Sequence, residues 1–154
     1  MSTLRELLLQ EKELLDRFIT CLHEEATALK DIRPEALDAI GQSKLALTQQ
    51  LDTVENRRNA LTSVPGSATG RAAMQQWLSR HPEEAASNAL WTEVLALATE
   101  AKRLHNLNGE LIAMHLSKTS EAIEILSQRL RDKPLYGSDG QSTGSTGCRI
   151  VDSA

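Results

Sequence analysis

The sequence is poor in aromatic and β-branched residues. Phe, Trp and Tyr together make up 3% of its 154 residues, and Val and Ile are far less frequent than Leu, Ala and Glu. Aromatic and β-branched side chains favour strands, whereas Leu, Ala, Glu and Gln favour helices. The composition therefore indicates an all-α fold.

The sequence also lacks a clustered basic segment. Its formal net charge is −4, and the basic pairs Arg57-Arg58 and Lys102-Arg103 fall in helical patterns where a solvated face explains them. A nucleic-acid-binding domain usually carries a dense basic surface. We therefore expect no nucleic acid among its partners.

Long apolar runs and a cysteine framework are missing as well. No run approaches the roughly 20 apolar residues that a membrane span needs, and Arg5 and Glu6 interrupt any secretory leader. The two cysteines, Cys21 and Cys148, are too few and too distant in sequence to form a disulfide framework. A reducing compartment suits such a chain, so we expect a cytoplasmic protein without membrane insertion.

Patterns for catalysis or metal binding do not emerge from the sequence. The histidines form no HExxH pair, and neither cysteine has a nearby partner at metal-ligand spacing. The segment 66–71 resembles a phosphate-binding loop only superficially, since its spacing is one residue short, Arg71 stands where lysine is needed, and no strand precedes it. We therefore expect no enzymatic activity, no cofactor and no metal.

Leucine periodicity predicts two long helices that meet at Pro34. We expect the first over about residues 3–31 and the second over about 34–61. Proline disfavours helical geometry at the residue before it and fits well at a first helical position. The two helices should therefore form an antiparallel hairpin.

One register of that hairpin matches both apolar and charged positions. When paired residue numbers sum to 69, Glu11 faces Arg58 and Glu25 faces Lys44. The apolar layers then become Leu8 with Leu61, Leu15 with Val54, Phe18 with Leu51, Leu22 with Leu47, and Leu29 with Ile40. Buried ion pairs specify register more than they stabilise. The alternative is that all four charged side chains extend to solvent beside a narrow seam.

A hairpin alone buries too little apolar surface to offset the entropy of ordering it, so a third helix must cover it. We expect that helix over 82–131, beginning at Pro82-Glu83-Glu84. The connector 62–81 includes a segment, 71–79, that can form a short helix. The predicted fold is an antiparallel three-helix, coiled-coil-like bundle over 1–131. A flexible tail over 132–154, rich in Gly and Ser, follows it.

The predicted third helix is apolar on more than one side, which favours a central position or a binding face. Gly109 would allow another backbone to approach, and Asn108 either joins that approach site or sets the register of the seam. Tyr136, beyond Pro134, either folds back on the bundle or anchors a partner. The residues predicted to bind a partner are Leu107, Asn108, Gly109, Leu111, Met114, Ile123, Leu130, Leu135, Tyr136 and Gly137.

Several segments resemble the FlgN-type flagellar type III export chaperones. They are the leucine-rich first helix with Glu24-Glu25, the second helix ending near Arg57-Arg58, the Trp91 region, Asn106-x-Asn108-Gly109-x-Leu111-Ile112, and Leu135-Tyr136-Gly137-x-x-Gly140. The resemblance covers roughly residues 1–141.

This resemblance implies a cytoplasmic bacterial chaperone without enzymatic activity. Such a protein binds the C-terminal helical segments of flagellar hook–filament junction proteins, prevents their premature assembly and aids delivery to the cytoplasmic domain of the export gate. In the family, partner and gate contacts are associated with the C-terminal part, which corresponds here to the late third helix and 135–137. The alternative is a non-enzymatic helical-hairpin adaptor, structural or regulatory, that mainly dimerises, and a homodimer is compatible with either function.

Overall fold

The computed structural model describes residues 3–66 and 69–132. Over these ranges the regular elements are all helices, namely α1 (Leu4–Lys30), α2 (Pro34–Thr62), α3 (Gly70–Arg80) and α4 (Ala85–Asp132). The all-α fold expected from the composition is confirmed. The predicted flexible tail lies outside the described residues, apart from Asp132 at the end of α4.

Local sequence explains where α1 begins. The Thr3 hydroxyl accepts a hydrogen bond from the Glu6 N–H at 3.3 Å, and the Glu6 carboxylate accepts one from the Thr3 N–H at 2.9 Å. This reciprocal arrangement is a capping box, which satisfies two backbone donors that the first turn would otherwise leave unpaired.

A tight turn joins α1 to α2. Ile32 adopts a left-handed conformation with φ of 51°, and the Arg33 N–H donates across it to the Ala28 carbonyl at 3.0 Å. That bond is the long-range bond of a Schellman motif, which ends a helix sharply. Pro34 is then in the first turn of α2, which confirms the predicted hairpin turn.

Helix α1 is the central element of the core, because it buries side chains on two neighbouring stripes. One stripe, with Leu7, Leu14 and Cys21, packs in a cluster with Leu47 and Val54 of α2. The other stripe packs with α3 and α4, and it forms two clusters: Leu4, Leu8 and Leu15 with Met74, Leu78, Trp91 and Val94, and Leu22 with Ala101 and Leu104. Helix α3 is therefore part of the core and not a passive connector.

This arrangement corrects part of the predicted layer scheme. Leu8 is fully buried, but its expected partner Leu61 is 48% exposed. Leu15 and Leu22 belong to clusters with α3 and α4, while Val54 and Leu47 belong to the cluster on the other stripe. The physical reason is that α1 is covered from two sides, so its most buried stripe faces the later helices.

The predicted start of the long last helix is also wrong by a few residues. His81 and Glu84 close a turn, in which the Glu84 N–H donates to the His81 carbonyl at 3.0 Å. Pro82 and Glu83 lie within that turn, and α4 begins at Ala85. The two acidic residues therefore precede the helix, and Glu84 accepts a hydrogen bond from the Ser87 hydroxyl at 2.5 Å.

The structure divides into two compact units, Met1–Ala113 and Met114–Ala154. The sequence predicted one bundle through residue 131. The buried residues of α4 end at Asn108, so the first unit contains the whole core described above. Within the described part of the second unit, 114–132, the chain is entirely helical and no residue is buried.

Candidate partner-binding surface

A buried polar cluster connects three helices of the first unit. Asn108 is 2% exposed, and its Nδ2 donates to the Leu22 carbonyl at 2.9 Å and to Glu25 Oε1 at 2.8 Å. Lys44 Nζ donates to both Glu25 oxygens at 3.0 and 3.1 Å. His105 Nδ1 lies 3.5 Å from the same Lys44 nitrogen. The cluster thus fixes α1, α2 and α4 in one register.

These contacts support one of the two roles predicted for Asn108. Of the two roles predicted from the sequence, the structure places it in the register-setting one, because its side chain is enclosed and bonded to α1. A buried amide satisfied in this way specifies a unique helix alignment. Contact of Asn108 with a partner would require these bonds to open, and it stays a prediction.

A second buried ion pair lies nearer the other end of the hairpin. Arg58 Nε donates to Glu11 Oε2 at 2.8 Å, and its Nη2 donates to Glu11 Oε1 at 3.3 Å. The guanidinium carbon lies 4.7 Å from the centroid of the Trp91 ring, a cation–π distance. Both predicted charge pairs are therefore confirmed, and the alternative of solvent-extended charges fails for Glu11, Arg58 and Glu25, which are all buried.

Burial affects the acid–base behaviour of this pair. Desolvation raises the pKa of Glu11 above its ordinary value, while the hydrogen bond and positive charge of Arg58 lower it and offset part of that rise. The Arg58 guanidinium therefore offsets part of the free-energy cost of burying the ionised Glu11 carboxylate. Each ion pair joins two different helices, so both pairs align α1 with α2.

The other predicted partner-binding residues differ in accessibility. In the first unit, Leu107 is exposed, Leu111 is half-buried, and Gly109 is exposed. A Cβ added at Gly109 would meet no other atom within 4 Å, so internal packing does not require glycine there. Leu135, Tyr136 and Gly137 lie outside the described residues, and the two roles proposed for Tyr136 remain predictions.

In the second unit the predicted residues do not share one face. Each residue advances about 100° around an α-helix, so Met114 and Ile123 lie on opposite sides, while Leu130 lies near Ile123. All three are exposed. Any partner helix that contacts Ile123 and Leu130 from one side must leave Met114 on the other.

Sequence reasoning selected Ile123 and Leu130 but missed the mainly apolar stripe to which both belong. We call it the outer stripe, and its residues are Leu116, Thr119, Ile123, Leu126 and Leu130. Their spacing alternates between three and four positions, which places them along one side of a helix as in a coiled-coil seam. Leu116 is 64% exposed, and Leu126 and Leu130 are each 58% exposed. The alternating spacing itself was the signal that could have found it.

Metal-binding clusters and membrane-spanning helices are absent from the described residues. Among them, no group of three or more His, Cys, Asp and Glu residues is arranged to hold a metal ion. No helix within residues 3–66 and 69–132 has the length and apolar character needed to cross a membrane.

The fold and surface define a helical protein with an internally fixed core and an exposed apolar helix. A family model described as FlgN protein matches residues 1–144, so the chain belongs to the FlgN family, as the sequence motifs suggested. A curated relative, the "Flagella synthesis protein FlgN" of Proteus mirabilis, is 38% identical over 56 residues. That alignment covers 36% of this chain and 38% of the relative's length. No solved structure gives a significant match.

Proposed function

We propose that this protein is a cytoplasmic, non-enzymatic export chaperone for flagellar hook–filament junction proteins. It binds their C-terminal helical segments, prevents premature assembly and aids their delivery to the export gate. Membership in the FlgN family and the name of the Proteus mirabilis relative support a role in flagellum synthesis. The observation that supports binding is the row of exposed apolar side chains on α4 in the second unit.

The exposed leucine and isoleucine side chains of the second unit are explained if a partner covers them. Burying one such side chain stabilises a complex by about 1.5–3 kcal/mol. Large contiguous apolar patches on a protein surface mark interaction sites. An amphipathic helix from a partner can pack its apolar face against the outer stripe of α4, so that both contacting surfaces are removed from water. Binding therefore protects the partner as well as the chaperone from aggregation.

The proposed contacts fall into groups. In the second unit, Ile123 and Leu130 contact the partner helix from the outer stripe. Met114, on the opposite side of α4, offers a flexible thioether for a different partner segment. In the first unit, Leu107 and Leu111 form a smaller apolar site on one side of α4, and Gly109, which lies about 160° around the helix from them, offers a separate approach site. The segment 135–137 supplies a further group of contacts, in which Tyr136 anchors the bound helix.

The direct test is titration calorimetry of the full chain against a C-terminal segment of a junction protein. We expect saturable binding with a negative heat-capacity change, the mark of apolar burial. A chain ending at residue 131 should bind more weakly but unfold at the same temperature. Co-purification of junction proteins from a flagellated cell, with the full chain and with the chain ending at residue 131, tests the same point in vivo. A complete lack of binding by the full chain would contradict the proposal.

Gly109 offers a separate test of the approach site. Gly109→Ala should stabilise the free bundle by about 1 kcal/mol, because alanine is the better helix former and the added methyl meets open space. If a partner backbone approaches there, the same change should weaken binding. Thermal unfolding and calorimetry measure the two effects, and Gly41→Ala on α2, also in open space, is the matched control. Stabilisation with unchanged affinity would remove Gly109 from the site.

A further inference from the structure

The two edges of the outer stripe carry different chemistry. At about 100° per residue, one edge holds His115, Lys118, Ala122 and Arg129, which we call the basic edge. The other edge holds Ser120, Ser127, Glu124 and Arg131, and it is polar with mixed charge. The basic edge has no acidic residue, although the described part of the second unit, 114–132, has as many acidic as permanently basic side chains.

The basic side chains of this edge form no ion pair within the described structure. The ion pairs found among residues 3–66 and 69–132 do not include Lys118 or Arg129. Both side chains are exposed. Their charges are therefore free, within the part of the chain that is described, to select a molecule that covers the outer stripe.

We propose that the outer stripe binds an amphipathic helix of another protein, with a leucine- or isoleucine-rich heptad seam and acidic residues along the edge that meets Lys118 and Arg129. This inference rests on the proposed function and specifies the chemistry of the partner. Coiled-coil partners are chosen and oriented by charges that border the apolar seam. An acidic border would pair with the basic edge, whereas a basic border would be repelled.

The same charges disfavour a second copy of this chain as the occupant. In an antiparallel pair, like edges meet, so Lys118 and Arg129 would face their own counterparts. In a parallel pair, the basic edge would face the other edge, where Ser120 and Ser127 are uncharged and the charge of Glu124 is offset by that of Arg131. Like-charge juxtaposition costs affinity, and neither arrangement gains the ion pairs that an acidic partner helix provides.

The test uses two designed helical peptides with the same leucine heptad seam and length. One peptide carries glutamate along the border that meets the basic edge, and the other carries lysine there. Calorimetry with the full chain should show about tenfold tighter binding of the acidic peptide at low salt, because exposed ion pairs replace repulsions. The preference should shrink at high salt, where such charges are screened.

Charge reversal at the edge provides the decisive comparison. Lys118→Glu with Arg129→Glu should reverse the peptide preference. The control, Arg71→Glu with Lys102→Glu, changes the net charge equally at exposed positions elsewhere and should retain it. Equal binding of both peptides, a preference unaffected by the reversal, or no binding of either peptide would overturn the inference. Sedimentation showing that the chain dimerises through the outer stripe would also overturn it.

These outcomes separate the inference from the function on which it rests. If the junction-protein segment binds but the two peptides bind equally, the function stands and the charge rule fails. If the acidic peptide binds selectively but the junction-protein segment does not, the surface is a docking site and the proposed cargo is wrong.

Discussion

Replacing Arg58 with methionine should destabilise the bundle by about 3–5 kcal/mol, the cost typical of removing one partner from a buried ion pair. Arg58 makes two hydrogen bonds to Glu11 and lies over the Trp91 ring. Methionine can keep much of the apolar contact with the ring, but Glu11 is then left without its cation. Urea unfolding followed by circular dichroism measures the loss.

The size of this loss should depend on pH in a defined direction. Burial already raises the pKa of Glu11 above 4.5, and Arg58 supplies the effects that lower it. Without Arg58 the pKa of Glu11 rises further. A group whose folded pKa is raised contributes stability below its unfolded pKa and loses that contribution as pH rises through the folded pKa. The variant should therefore come closest to the wild-type protein below pH 4.5 and fall behind it towards neutrality.

Two further variants make the interpretation specific. Arg103→Met removes an exposed pair with Glu100 and should cost much less, since exposed pairs contribute little. Glu11→Leu combined with Arg58→Met should recover most of the lost stability, because an apolar pair avoids the desolvation cost. If the losses of Glu11→Leu and Arg58→Met simply add, the pair is not energetically coupled.

The hairpin shows what sequence alone could provide. Its turn at Pro34 and its two charge pairs were predictable, because a proline has few acceptable positions and charges on two stripes match in very few registers. The core around Met74 was not predictable in the same way. Met74 is fully buried in an 11-residue helix, and local propensity does not tell whether such a short segment packs against α1 and α4.

The candidate site shows a different limit. Periodicity identified the stripe of α4 that carries Ala101, Leu104 and Asn108, but it could not say that burial ends at Asn108. The sequence therefore left two roles open for Asn108, and it could not show that α1 already satisfies the side chain. Leu116 was missed for the converse reason: it is exposed, and among the described residues no second segment pairs with it to reveal the seam.

Changing Leu116, Ile123 and Leu130 together to serine should weaken binding of a junction-protein segment by at least about hundredfold. Each change removes an apolar contact worth about 1.5–3 kcal/mol when buried, and about 1.4 kcal/mol corresponds to a factor of ten in affinity. The free protein should keep its melting temperature, because none of the three side chains is buried in it. Calorimetry and thermal unfolding of the same samples measure both quantities.

The matched control changes three exposed leucines elsewhere, Leu9, Leu45 and Leu61, to serine. These side chains are 47%, 61% and 48% exposed, so the control removes similar apolar surface from α1 and α2. It should leave affinity for the segment within about twofold of the wild-type value, since surface changes away from a binding site have small effects. Equal weakening by both triple variants would show that general surface hydrophobicity drives the association. Selective weakening by the first would place the partner on the outer stripe, because only there do the lost side chains share one side of a helix.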